Sequence, residues 1–450
     1  MKRLFGTDGI RGIAGEPPLD PLTVRRFGIA LAEVAVARNP SGPRVVLGRD
    51  TRESGPGLRD AVASGLMLRG VGCVDAGVIT TPGLARVVRN GRFAAGVMIS
   101  ASHNAYRDNG LKAFGPDGTK LPDDVERRIE DRILDGDDSH VDAAETRPDE
   151  DSRLVDGYLD SLRGVIPSPA GWARGFRIVL DCAHGAAAAL AADLFRHHGA
   201  FVETMGCEPD GRNINHRCGS LHLEAIADRV RASGADLGIA FDGDADRALA
   251  VDRGGRVADG DVILYVSARL LKRRGALRGD AIVATILSNL WLEKALARDG
   301  ISLHRTSVGD KYVHERMLAD DLVLGGEQSG HVIFREHADT GDGMLTGLML
   351  LHALAEEGRS LSAVLDEIRP CPQEQRNVRV REKPNLTSHP VIGPAVVDTE
   401  RALAGSGRVV LRYSGTEPLA RIMVEGEEPG LVRDHADRLA RVIEQEIGAP

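Results

Sequence analysis

Short apolar runs alternate with amphipathic stretches through most of this chain, and that alternation restricts it to layered α/β architecture. Arg44–Gly48, Ala94–Ser100, Arg177–Asp181, Asp236–Phe241, Ala281–Leu287 and Leu322–Gly325 read as buried strands. Leu58–Arg69, Leu221–Ser233 and Met344–Glu357 have helical patterning between them. Strand, helix, strand in sequence implies parallel layers. At 450 residues the chain is two to three times a domain of about 100–200 residues, so several cores are expected. Breaks fall in the polar stretch Asp135–Asp151, near Arg253-Gly254-Gly255 and at Arg369-Pro370-Cys371-Pro372. The remainder ends as strand, loop, strand over Gly407–Gly426, then a helix from Leu431. The reading is three α/β units followed by a smaller α+β domain. The strand-ending loops Gly48-Arg49-Asp50, Asp181–Gly185 and Asp242-Gly243-Asp244 hint that the three units are related.

Charge and composition exclude several classes of function. With 57 Lys+Arg against 66 Asp+Glu the net charge is −9, which argues against nonspecific nucleic-acid or anionic-membrane binding. Aromatics are only 4%, too few for base-stacking platforms. No signal-peptide core follows Lys2 and Arg3, and no run approaches 18 apolar residues. Five scattered cysteines, Cys73, Cys182, Cys207, Cys218 and Cys371, form neither a disulfide framework nor a zinc motif. The expected setting is the cytoplasm.

Four loops carry the chemistry. Asp242-Gly243-Asp244-Ala245-Asp246-Arg247 directly follows a strand. Three carboxylates at alternate positions can converge because the residues between them are small, and about 1–4 kcal/mol of repulsion per pair calls for a cation. An EF-hand would need Gly and Glu where Arg247 and Arg253 stand. Three oxygen ligands with open positions suit Mg²⁺ shared with a phosphate; a solvated acidic turn is the bland alternative. The loop from Ser100 to Lys112 follows a second strand, where Ser102 is placed as a nucleophile, Lys112 as a proton-transfer group and Asn104 as a positioning donor. No G-x-S-x-G surrounds Ser102, and a plain polar loop with His103 capping backbone fits equally.

Gly325–His331 also follows an apolar run, and Glu327 and Ser329 suit sugar hydroxyls or an amine. Arg412-Tyr413-Ser414-Gly415-Thr416-Glu417-Pro418, with Arg421 beyond, forms a phosphate cradle; a hairpin bearing surface arginines is its alternative. Gly341-Asp342-Gly343 lacks the third glycine and the strand of a dinucleotide fingerprint, and no P-loop motif occurs. His197-His198 reads as a helix end rather than a metal site.

Together and in this order, the four loops make the chain resemble the α-D-phosphohexomutase superfamily, from Phe5-Gly6-Thr7-Asp8-Gly9-Ile10-Arg11-Gly12 to Arg421. Gly326–His331, Asn213-Ile214-Asn215, Cys218-Gly219-Ser220 and Val308-Gly309-Asp310 are similar to its bacterial glucosamine-phosphate branch. Two positions depart from the pattern. Ala105 stands where Pro is usual after Asn104, which implies a looser loop. Lys311 stands where Arg is common, which keeps charge but loses bidentate geometry.

The resemblance implies three related α/β domains with mixed sheets plus a smaller C-terminal α+β domain, four domains around a central active-site cleft. The expected segments are 1–150 with the phosphoserine loop, 151–254 with the metal loop, 255–369 with the sugar loop and 370–450 with the phosphate loop. The implied reaction interconverts glucosamine 6-phosphate and glucosamine 1-phosphate in UDP-N-acetylglucosamine synthesis. It would pass through phosphorylated Ser102 and a glucosamine 1,6-bisphosphate that turns end for end. Mg²⁺ would sit on Ser102, Asp242, Asp244 and Asp246, with glucosamine or glucose 1,6-bisphosphate as activator. Arg11, His103, Lys112, Arg247 and His331 would join Ser102 in catalysis. Glu327, Ser329, Arg412, Ser414, Gly415, Thr416 and Arg421 would bind substrate. The implied partner is a small sugar phosphate, with neither nucleic acid nor membrane, in a homodimer. Alternatives are action on mannose or glucose phosphates, or a phosphatase with Asp242 as nucleophile.

Overall fold

The computed structural model of the chain describes residues 4–6, 8–38, 42–136, 147–167, 171–403, 405–414 and 417–449. Thr7, Gly415, Thr416 and part of the 135–151 break lie outside them. Four sheets follow one another along the chain. The first has seven strands, with Arg44–Arg49 between Gly72–Val78 and Ala95–Ile99 and parallel to both. Ala95–Ile99 is buried at every position because the sheet is covered on both faces.

The first sheet is mixed, as the resemblance implies, rather than parallel throughout as periodicity alone suggests. The loop after Ile99 returns the chain directly beside its own strand, without a crossover helix. Asp108–Phe114 therefore pairs antiparallel with Ala95–Ile99, and Gly9–Ile13 pairs antiparallel with it in turn. The second sheet orders as Val257–Ala258, Ala248–Asp252, Leu237–Phe241, Arg177–Asp181 and Phe201–Met205. Its edge strand reaches Ala258, past the turn at Arg253-Gly254-Gly255, because Ala248–Asp252 folds back antiparallel onto it. The third sheet has Ala281–Thr285 parallel to Ser302–Thr306 and Leu324–Gly326, with Val332–Phe334 antiparallel at the edge.

The second and third sheets share one continuous core. Helix Gly343–Glu357 joins them, since its residues 343–354 are buried and a side chain at Gly347 would touch Phe195 and Ile239. The fourth unit is a three-stranded antiparallel sheet, Gln373–Arg379, Leu419–Glu425 and Arg408–Tyr413, with its own core against helix Pro429–Ile447. It meets the third unit at Glu425. This buried carboxylate accepts Leu290 N (2.7 Å), Gln373 Nε2 (2.9 Å) and Arg408 Nε (2.5 Å). His197 ends helix Ala191–His197, with His198 as its cap. Among the described residues no helix is long and apolar enough to cross a membrane.

Candidate active site

Three of the four loops leave the carboxyl ends of strands, where open α/β sheets place ligands. Asp242, Asp244 and Asp246 are buried, and one ligand oxygen from each lies within 4.8 Å of the others. Gly243 is required there, because a side-chain carbon at that position would stand 2.6 Å from Ser102 O. Ser102 has φ of +52°, a left-handed conformation in a buried residue. Its Oγ donates to Asp242 Oδ2 (2.6 Å) and lies 3.1 Å from His103 Nδ1. Burial, with Arg247 and Arg11 nearby, pushes the His103 imidazole down to about 4, so the ring is neutral at neutral pH.

The loop around Ser102 is tightly held. Arg52, fully buried, donates to Ser102 O and Asn104 O (both 2.9 Å), Ala105 O (2.5 Å) and Asp108 O (3.0 Å). Asp50 aligns that guanidinium at 2.8 Å and accepts Ser100 Oγ at 2.7 Å, while Ser100 Oγ accepts Ser102 N at 2.9 Å. Even with Ala105 in place of a proline, four carbonyls of the loop are held by one guanidinium. Asn104 donates to Asp108 Oδ2 (2.9 Å). Lys311 reaches across units to Asp123, so it serves as a point charge and does not need a fork.

A closed ring of charges surrounds the triad. Lys112 Nζ lies 2.8 Å from Asp244 Oδ2, 3.0 Å from Asp8 Oδ2 and 3.7 Å from Asp246 Oδ2. Asp8 Oδ1 meets Lys120 Nζ at 2.9 Å, and Lys120 meets Asp310 Oδ2 at 2.7 Å. His331 closes the ring, 3.7 Å from both Asp310 and Asp246. Gly341 N donates to His331 Nε2 (2.9 Å), which leaves the ring proton on Nδ1, facing Asp246. Burial opposes the charge on Lys112, but Asp244, Asp8 and Asp246 outweigh it and raise its affinity for a proton. Burial beside two like charges pushes Asp242 up. Asp246 is also penalised by burial, but Lys112, His331 and Arg247 pull it below the usual range. Arg11 pairs with Asp8, and Arg247 N donates to Asp242 Oδ1 (3.1 Å). The Nε atoms of Arg11 and Arg247 are buried without a hydrogen-bond partner among the described residues.

The sugar loop adds Glu327, which accepts Gly309 N (3.0 Å) and Ser329 Oγ (3.3 Å). Sequence reading missed Asp8, Arg52, Thr81, Lys120, Asn215 and Asp310 as site residues. Thr81 Oγ1 donates to Asp244 Oδ2 at 2.5 Å while Thr80 caps the helix at Gly83 N. Asp8, Asn215 and Asp310 lay inside family-like stretches and Arg52 beside a strand-ending Asp, whereas Thr81 and Lys120 stood beside no recognisable signal.

In the fourth unit Arg412 and Arg421 stand directly opposite each other across two strands. Arg421 Nη2 touches Glu417 Oε2 (3.1 Å) and Ser414 Oγ (3.4 Å). Arg412 has no ionic or hydrogen-bonding partner among the described residues, and burial together with Arg421 lowers its proton affinity. Two facing guanidiniums repel until an anion lies between them. Arg412→Met is therefore expected to raise KM for a phosphorylated substrate at least about tenfold, a loss of roughly 1.4 kcal/mol or more in binding. The thermal midpoint should hold or rise slightly. Steady-state kinetics and a melting curve on one preparation check both signs.

Four descriptions of known families match in order. They are phosphoglucomutase/phosphomannomutase alpha/beta/alpha domain I over residues 2–140, domain II over 156–255, domain III over 259–371 and the C-terminal domain over 376–442. A phosphoglucosamine mutase of Solibacter usitatus is 48% identical, with 99% of each chain covered. A phosphoglucomutase/phosphomannomutase family protein of Burkholderia thailandensis has the same fold, at TM-score 0.80 and 23% identity, covering 99% of each chain. N-acetylphosphoglucosamine mutase of Aspergillus fumigatus, solved with GlcNAc-6P and magnesium, superposes at TM-score 0.66 and 19% identity, covering 98% of this chain and 95% of that one.

Proposed function

We infer the working of the site from one premise: the chain belongs to the phosphoglucomutase/phosphomannomutase family, as an isomerase that interconverts α-D-glucosamine 6-phosphate and α-D-glucosamine 1-phosphate. The observation that carries the mechanism is Ser102 Oγ held 2.6 Å from Asp242 Oδ2, beside two further carboxylates. Among the described residues Asp244 Oδ1 and Asp246 Oδ1 are buried without hydrogen-bond partners, as oxygens reserved for a hard cation would be. Asp242, Asp244, Asp246 and phosphorylated Ser102 would hold Mg²⁺. When bound, it supplies charge neutralisation at the phosphoryl oxygens.

Ser102 Oγ carries the phosphoryl group and gives it to the free hydroxyl of the sugar phosphate. The Oγ–P bond breaks as the sugar O–P bond forms, giving glucosamine 1,6-bisphosphate. After this intermediate turns, its other phosphoryl returns to Ser102. The buried Nε atoms of Arg11 and Arg247 have no hydrogen-bond partner among the described residues, and we assign both guanidiniums to the phosphoryl oxygens. Lys112, held protonated beside Asp8 at 3.0 Å, hands its proton to Ser102 Oγ as the Oγ–P bond breaks and takes the proton of the sugar hydroxyl in return. His103 steadies Ser102 Oγ, and His331 orients Asp246. Glu327 and Ser329 take the sugar hydroxyls. Arg412, Ser414, Gly415, Thr416 and Arg421 hold the phosphate that is not reacting. Free glucosamine or glucose 1,6-bisphosphate rephosphorylates Ser102 when the phosphoryl group is lost.

We assign residues 1–150, 151–254, 255–369 and 370–450 to the phosphoserine, metal, sugar and phosphate loops, with the edge strand Val257–Ala258 moving the second boundary from 254 to 258. The resemblance also implies a homodimer in the cytoplasm, which sedimentation and fractionation test. Intact-mass analysis is expected to find one phosphoryl group and peptide mapping to place it on Ser102; turnover with the group elsewhere overturns the mechanism. Comparing kcat/KM for glucosamine, mannose and glucose 6-phosphates tests the sugar, and steady phosphate release would favour Asp242 as a phosphatase nucleophile.

A further inference from the structure

We propose that Asn215 is a positioning residue that sets the nucleophile of the first unit in register with the carboxylates of the second. It sits in the Asn213-Ile214-Asn215 stretch, which the mechanism above does not use. Its φ is +57°, a left-handed conformation that asparagine tolerates better than most residues. Its backbone N donates to Ala183 O (2.9 Å), which anchors it in the second unit. From there Nδ2 donates to Ser102 O at 2.8 Å and Asn104 O at 3.0 Å.

Those are the same two carbonyls that Arg52 holds from within the first unit. Arg52 fixes the shape of the loop, and its neighbour Glu53 donates its N to Gly211 O of the second unit at 3.0 Å, but that tie reaches Ser102 only through a flexible side chain. Asn215 can set the loop's place relative to Asp242, because it belongs to the unit that carries the triad. Gly243 fits against both partners: a side-chain carbon there would stand 2.6 Å from Ser102 O and 2.8 Å from Asn215 Nδ2. Other ties between these units, Thr81 N to Asp244 O (3.0 Å) and Thr51 Oγ1 to His184 O (2.6 Å), do not touch the backbone of Ser102. Asn215 itself touches neither a reacting atom nor a carboxylate of the triad in these contacts, so it acts through Ser102.

In-line phosphoryl transfer depends on where Oγ lies to within a fraction of an ångström, and a misplacement of about 1 Å can cost on the order of 10²-fold in rate. The inference rests on Ser102 being the phosphoryl carrier. The test uses the full chain with Mg²⁺, as wild type, Asn215→Ala and Asn215→Asp. Each is loaded with glucose 1,6-bisphosphate, its phosphoserine is counted by intact mass, and single-turnover transfer to glucosamine 6-phosphate is measured per loaded enzyme.

Expected is a rate per phosphoserine lower by on the order of 10²-fold in Asn215→Ala, with KM within about twofold. Asn215→Asp should be slower still, because it turns an acceptor toward two carbonyls, and it covers the case in which the alanine variant does not fold. A role in stability alone would lower the loadable fraction and the thermal midpoint but leave the rate per phosphoserine at wild type; that outcome overturns the proposal. Wild-type turnover without phosphate on Ser102 would instead remove the reading beneath it.

Discussion

Replacing Ser102 with alanine is expected to lower kcat by about four to six orders of magnitude, as removal of a covalent nucleophile does. The surroundings explain why so little else should change. The loop is held through its backbone, by Ser100 Oγ at the amide and Arg52 and Asn215 at the carbonyl, and alanine leaves these contacts in place. What is lost is the hydroxyl that donates to Asp242 Oδ2. A buried carboxylate oxygen deprived of its donor costs about 1–3 kcal/mol, or a fall of roughly 1–3 °C in the thermal midpoint of a 450-residue chain. A coupled assay, a melting curve and the absence of a phosphoryl mass check the three parts together. Full turnover in the alanine variant would sink the phosphoserine mechanism.

Asp244→Asn should lower kcat/KM by about 10²–10⁴-fold, the several kcal/mol that a metal cation contributes to a phosphoryl transition state. Asp244 supplies one of three oxygens within 4.8 Å of each other. At that separation each carboxylate pair repels by about 3 kcal/mol at an effective dielectric of 20. Wild type should therefore gain stability from Mg²⁺, about 2.7 kcal/mol at a hundredfold excess over Kd. The asparagine variant should lose most of that gain, and also the charge that helps to hold Lys112 protonated. Melting curves with Mg²⁺ and with a chelator decide this: an equal increment in both proteins would show that the triad does not hold the ion.

The two experiments probe features that differ in how openly the sequence displayed them. The triad was plain, because alternate carboxylates separated by Gly and Ala have few other uses after a strand. Ser102 was visible for a similar reason, as a small hydroxyl residue where an apolar run stops. Strand Asp108–Phe114 was hidden: it is buried on both faces from Asn109 onward, so it has no alternation to read, and it passed as part of a loop. Arg52, and the role of Asn215 within its family-like stretch, were hidden for another reason. They act on carbonyl groups far away in the chain, and a carbonyl has no letter in the sequence. The ring through Asp8, Lys120 and Asp310 likewise exists only because three sheets bring distant residues together. At Ala105 the sequence showed a missing ring but not the guanidinium that grips four carbonyls of the same loop.

Glu425, the buried carboxylate that joins the fourth unit to the third, lies on the same strand as Arg421, four residues further on. At about 3.3 Å per residue the two are roughly 13 Å apart. Turning the strand by about 10° around Glu425 swings Arg421 through only about 2 Å. That is most of the difference between a guanidinium hydrogen-bonded to an anion and one that has let it go. The strand is thus a short lever: in the proposed mechanism, a small turn of the fourth unit about Glu425 would be enough for Arg421 to take up or release the phosphate that is not reacting.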